Sequence, residues 1–249
     1  MVRSPICRVP TSPHTCARHS TRQALRAAAP LGVLAFWCGL SIAGELYPAE
    51  YDWRYMTISS LLYPDRNPEG YRWAWGGVAL CGLCGLCWIA ALAWNRRRSN
   101  AANWPVGIWA MGLGYASMVC CALLPARFLH ISRSHDILAL AAFVGLCLGT
   151  VRLTYCAVDQ RLQRRARTLP GRPWIYAGVI AGAALLPILM VSLTQAYVSR
   201  ALPQLPWVGL EWRRQGVPAY LSFAFWEWVT CIVFSVYTSV LSILDINTA

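Results

Sequence analysis

Residues 74–94 read AWGGVALCGLCGLCWIAALAW, one continuous apolar run without a charged side chain. A helix rises about 1.5 Å per residue, so this run is long enough to cross a hydrocarbon core of ~30 Å. Comparable runs lie at 28–46, 104–124, 137–157, 175–197 and 219–244. The expected fold is all-α: a polytopic integral membrane protein, a six-transmembrane-helix bundle with both termini cytoplasmic. Residues 1–27 read as a disordered basic cytoplasmic tail, 28–244 as the transmembrane domain, and 245–249 as a second cytoplasmic tail. With 57% hydrophobic and 13% charged residues and a mean hydropathy of +0.43, the chain leaves no stretch for a soluble domain.

The net charge of +12 does not call for a nucleic-acid partner, because its placement follows membrane topology. If the N-terminus is inside, the inner segments hold Arg3, Arg8, Arg18, Arg22 and Arg26, then Arg96 to Arg98, then Arg161, Arg164, Arg165, Arg167 and Arg172. The outer segments are poorer in arginine and hold most of the acids, among them Glu50, Asp52, Asp65, Glu69, Asp136 and Glu211. The basic stretches then anchor the chain at an anionic inner leaflet. All 22 basic residues are arginine, which fits a GC-rich genome and a bacterial inner membrane. The alternative is a mitochondrial inner membrane, since residues 1–27 are rich in Arg and Ser and lack acids; Pro5, Pro10 and Pro13 argue against the amphipathic helix that a transit peptide needs.

Of 11 cysteines, Cys7 and Cys16 lie in the tail and the others inside expected spans, which disfavours a disulfide framework in the outer loops. Cys81, Cys84 and Cys87 form a CxxCxxC run among Gly77, Gly82 and Gly85. Small side chains at this spacing let helices approach closely, and a metal or redox site is the competing reading. Gly178 and Gly182 form a GxxxG pair of the same kind, and Pro187 should kink the fifth span. Trp73, Trp75, Trp94, Trp104, Trp174, Trp207, Trp212, Trp226 and Trp228 fall near span ends and read as interfacial anchors.

Function has to be sought on the outer side. The first outer loop, YPAEYDWRYMTISSLLYPDRNPEGYRW, is too aromatic for a solvated connector, and MTISSLLY within it suits a short interfacial helix across the bundle mouth. It carries Ser59 and Ser60. The segment LLPARFLHISRSHDILAL brings Arg127, His130, Arg133, His135 and Asp136 to the membrane surface. Ser134 can cap the helix that follows, and Asp136 suits its first turn. Histidine at this place can hold a metal, relay a proton or hydrogen-bond. Glu227 lies within the last span, where a carboxylate is costly unless it is paired, protonated or beside a wet cavity. An ion pair with Arg127 or Arg200 is its structural alternative. Thr230, Thr238 and Ser242 extend a polar stripe along the same helix. Glu227 and His135 are expected to share one outward-facing polar site.

The YMTISSLLYP segment, the small-residue second span and LLPARFLHISRSHDILAL, together covering 30–157, resemble the bacterial domain-of-unknown-function 998 family. They are more distantly similar to the DRAM and PGAP-type GPI-remodelling six-span proteins. The resemblance implies a six-span fold and a recurring serine after the first span, here Ser59 or Ser60, with a histidine opening the fourth, here His135. The acid expected before that serine and the glycine after it are missing. Two functional classes follow. The first is an envelope component that binds membrane lipids, or a protein partner in the membrane, through its outer loops. The second is an intramembrane lipid hydrolase or remodelling enzyme using Ser59 or Ser60, His130, His135, Asp136 and Glu227, as a Ser/His/acid set or as ligands of a water-activating metal. No GxSxG or HExxH motif supports the enzyme, and no inverted repeat supports a transporter. The sequence names no cofactor.

Orientation is directly testable. Reporter fusions after Arg98 and Arg167 should read as cytoplasmic, and fusions after Asn67 and Gly209 as external. An external signal at Arg98 would reverse the topology.

Overall fold

A computed structural model of the chain describes residues 13–96, 105–124, 134–165, 173–203 and 209–246. Among these residues every regular element is helical: α1 (Pro13–Glu45), α2 (Ile58–Leu62), α3 (Tyr71–Arg96), α4 (Pro105–Leu123), α5 (Ser134–Arg165), α6 (Pro173–Ala201), α7 (Glu211–Arg214), a 3-10 turn (Ala219–Leu221) and α8 (Phe223–Ile246). Five helices carry segments long and apolar enough to cross a membrane: Ala27–Glu45, Tyr71–Trp94, Pro105–Leu123, Ser134–Cys156 and Phe223–Ser242. α6 contributes the shorter apolar stretch Leu185–Ala201. The fold is that of a polytopic helical membrane protein.

The long helices form a ring in which α1 packs on α3, α3 on α4, α4 on α5, α5 on α6, α6 on α8, and α8 back on α1. Lipid tails are as apolar as leucine, so the contacts must come from close fit rather than from hydrophobic exclusion. Glycine supplies that fit at two seams. A Cβ placed on Gly39 of α1 would lie 2.5 Å from the Trp73 carbonyl oxygen and 2.9 Å from Gly77 Cα on α3. Across α4 and α5, a Cβ on Gly145 would lie 2.7 Å from the Gly114 nitrogen. In the cysteine-containing run, a Cβ on Gly82 would lie 2.9 Å from the Tyr115 carbonyl oxygen, and one on Gly32 2.7 Å from Cys84 Cβ, so this run is part of the helix packing. Gly182 behaves differently: nothing lies within 4 Å of a Cβ there, so this half of the expected GxxxG pair makes no close contact among the described residues.

Several expectations are revised. α1 begins at Pro13 instead of near residue 28, so the second half of the supposed disordered tail is helix. Proline is tolerated in a first turn, where its missing N–H would have had no partner. At the other end α8 continues to Ile246. Trp212 and Trp228, expected as interfacial anchors, are buried. The Trp228 indole donates to the Met56 carbonyl at 3.0 Å, and the Trp75 indole to the Leu62 carbonyl at 2.8 Å. Trp73 and Trp94 are exposed as anchors should be.

The two loops at one end of the ring are tied together. Asn67, fully buried, donates to the Ala43 carbonyl at 2.9 Å and accepts from the Gly70 N–H at 3.1 Å, joining the end of α1 to the start of α3. The Gly209 N–H donates to the Tyr55 carbonyl at 3.0 Å, and the Tyr55 hydroxyl to the Val217 carbonyl at 2.8 Å. Arg213 pairs with Glu50 and lies 3.5 Å from Asp52. Asp52 also accepts from Arg54 at 2.8 Å, and that guanidinium holds its carboxyl below the ordinary aspartate range.

The seam between α1 and α3 should be the most sensitive to bulk. Gly39→Leu is expected to lower stability by about 1–3 kcal/mol or to abolish folding. Gly76→Ala, where a Cβ meets nothing within 4 Å, should be neutral in the same thermal-unfolding assay in detergent. Equal unfolding midpoints for both variants would contradict the glycine-fitted seam.

Candidate functional site

The loop-rich end of the ring is plugged by α2, only five residues long and buried at Ile58, Ser60, Leu61 and Leu62. The short interfacial helix expected of MTISSLLY is thus present, but it is inserted among α1, α3 and α8. A helix this short is not stable alone, and its first N–H groups lack intrahelical partners. Thr57, at the N-cap, makes no side-chain cap. Glu227 supplies one from across the bundle, its Oε2 accepting from the Ile58 N–H at 3.0 Å. This backbone donor, and not an arginine, is the partner of the membrane carboxylate. Arg200 is exposed, and Arg127 lies outside the described residues.

Beneath α2 is a cavity of about 120 Å³. Ser59 of α2, His135 of α5 and Glu227 of α8 all line it. Each is close to the loop-rich end of its element. Further down, the walls are Phe36, Met118, Phe143 and Leu146, with Tyr115 and Thr238 joined by a hydroxyl–hydroxyl bond of 3.1 Å. On α8 the lining residues are Glu227, Cys231, Phe234, Ser235 and Thr238, a helical stripe. Thr230 and Ser242, expected on that stripe, instead donate to carbonyls of their own helix, those of Trp226 and Ser239.

The remaining site residues separate. Ser60 is buried and turned away from the cavity; its Oγ lies 3.0 Å from Thr57 Oγ1, which also lies 2.8 Å from Ser59 Oγ. His135 packs against Tyr63 with ring centroids 5.7 Å apart, and its Nδ1 lies 3.4 Å from Asp136 Oδ1, a long contact to a carboxylate that is 80% exposed. Asp136 occupies the first turn of α5, as expected, but it does not line the cavity. His130 lies outside the described residues. Among the described residues no hydrogen bond joins His135 to Glu227, and no group of three His, Cys, Asp or Glu side chains is arranged to hold a metal. Thr57, Tyr63 and Tyr115 were not singled out from sequence. Of these, Tyr115 had a readable signal, a hydroxyl-bearing ring set in the middle of a small-residue span.

This site lies within a ring of apolar helices closed by a buried loop helix, which defines a helical membrane protein with an internal cavity. The chain belongs to the family described as "Protein of unknown function (DUF998)", whose model matches residues 30–243. That match extends well beyond the segments whose resemblance is readable by eye. No curated protein and no solved structure matches the chain.

Glu227 has two separable roles, as acceptor for α2 and as charge in the cavity wall. Glu227→Gln retains an acceptor and should leave the unfolding temperature near wild type. Glu227→Leu strands the Ile58 N–H and should cost about 1–3 kcal/mol. Equal effects would show that the cap does not matter. Although no bond links the pair, both line one cavity, so Glu227→Leu and His135→Ala should depart from additivity by about 0.5 kcal/mol or more; strict additivity would mean that the two walls do not act on each other.

Proposed function

We propose that this protein is a six-span lipid-binding component of a bacterial inner membrane, with both termini cytoplasmic, and that it holds an amphiphile in the cavity beneath α2. The observation that carries the reading is the polarity gradient of that cavity, with Ser59, His135 and Glu227 at the loop-rich end and Phe36, Met118, Phe143 and Leu146 below. An apolar pocket with a few convergent polar groups is the usual form of a small-molecule site. Its volume of about 120 Å³ approaches the ~150 Å³ of an apolar cavity that takes up benzene, room for part of an acyl chain. The family match over 30–243 supports the membrane-bundle fold, and the arginine bias toward the segments joining α3 to α4 and α5 to α6 supports the orientation.

A lipid with a diazirine on its acyl chain tests this. Photolysis in liposomes should place adducts on peptides containing Phe143 and Leu146, and Ala139→Phe, which fills the cavity, should remove them. Adducts confined to outward-facing Leu185, Leu186 and Leu189, or adducts unaffected by Ala139→Phe, would refute the cavity reading.

The hydrolase reading draws on one observation: Ser59 and His135 line the same cavity while Asp136 stands at His135 Nδ1, the order of nucleophile, base and orienter. The Ser59 hydroxyl is engaged with Thr57, not with His135. Labelling of Ser59 by a lipophilic fluorophosphonate, lost in His135→Ala, would favour the enzyme over the binding protein.

A further inference from the structure

A second concavity, of about 580 Å³, lies between α1 and α8 on the neighbouring face of α8. Trp228 and Ile232 line it, whereas Glu227 and Cys231 line the cavity under α2. Its walls are unusually aromatic: Trp37 from α1, Tyr47, Tyr51 and Trp53 from the first loop, and Trp228 from α8, with Glu45 at the end of α1. The rings are fixed against one another. Trp37 and Trp228 have centroids 5.8 Å apart, Tyr51 meets Trp228 edge-on at 6.3 Å, Tyr47 lies 5.3 Å from Tyr51, and Trp53 stacks on Phe225 at 5.9 Å.

The polar edges of three of these rings are already committed inside the protein. The Trp37 indole donates to Ser235 Oγ at 3.0 Å, the Trp228 indole to the Met56 carbonyl, and the Tyr51 hydroxyl reaches the Thr57 carbonyl at 3.0 Å. These rings therefore offer the groove π-surface and not donors. The charges complete the picture. Glu50 is paired with Arg213, and Asp52 with Arg54. Glu45 is exposed and its carboxylate, among the described residues, has neither an ion pair nor a hydrogen bond; no arginine lines the groove, and Arg66 acts on it only from outside, through Tyr47. One uncompensated carboxylate beside aromatic faces attracts a cation with an apolar surface, which is an alkylammonium group.

Depth identifies the source of that cation. Glu45 is the last residue of the membrane segment Ala27–Glu45, so the groove opens at the level of lipid headgroups. Its volume exceeds the needs of an ammonium group, and Leu40, Ala49 and Ile232 add apolar wall for the glycerol and first methylenes. We infer that this groove binds the ammonium headgroup of a zwitterionic phospholipid, ethanolamine or choline, at the membrane boundary. The site is separate from the cavity beneath α2, and an empty cavity there leaves it standing.

Native mass spectrometry of the full chain, offered equimolar phosphatidylethanolamine and phosphatidylglycerol with identical acyl chains, reads the preference directly. About a threefold to thirtyfold excess of the ammonium lipid is expected, in line with a cation–π site at a partly desolvated surface. Glu45→Gln and Trp53→Ala, both at exposed positions, should each move the ratio toward one, while Glu69→Gln, which removes a charge elsewhere in the loop, should not. Equal binding of the two lipids by the wild type, or an unchanged ratio in both groove variants, would overturn the assignment. Displacement of the lipid by equimolar free choline would also overturn it, by making the ligand a soluble amine.

Discussion

One hydrogen bond between residues 169 positions apart organises the loop-rich end of this bundle: the carboxylate of Glu227 on the last described helix accepts the first N–H of α2. A five-residue helix has too few internal bonds to hold itself, and a carboxylate within a span needs a partner. Each requirement answers the other. With α2 fixed, the indole-bound carbonyls of Met56, just ahead of it, and of Leu62, its last residue, anchor it to α8 and α3, and Ser59 is held at the top of the cavity.

The ring below serves this arrangement through closeness rather than through polarity. Gly39 against Gly77, and Gly145 against Gly114, bring backbones together where lipid gives no hydrophobic reward for association. Phe36, Met118, Phe143 and Leu146 line the cavity, while the backbones of Phe36 and Leu146 also lie in the seams, 3.2 Å and 2.8 Å from a Cβ placed on Gly77 and on Gly114.

Much of the fold was legible in the sequence, because run length and absence of charge are local properties. The existence of α2 was legible for the same reason. Its insertion was not, since it rests on Glu227, Trp75 and Trp228, none of them near it in the chain. The reading of Trp228 as a surface anchor failed for an identifiable reason: the first loop brings the Met56 carbonyl to its indole N–H, which satisfies the polar edge inside the protein. For the site, residue type located Ser59, His135 and Glu227 at one end of the bundle. It could not say that Ser60 turns away toward Thr57 or that Asp136 stays in the open.

The ring order also bears on biosynthesis. α1 with α3 and α4 with α5 carry successive membrane segments, so each glycine seam can close as soon as its second member enters the membrane. α8 emerges last, yet it closes the ring against α1, provides the acceptor for α2 and contributes one wall to both concavities. A nascent chain therefore has the α1–α3 and α4–α5 seams before it has the α8 wall of either concavity.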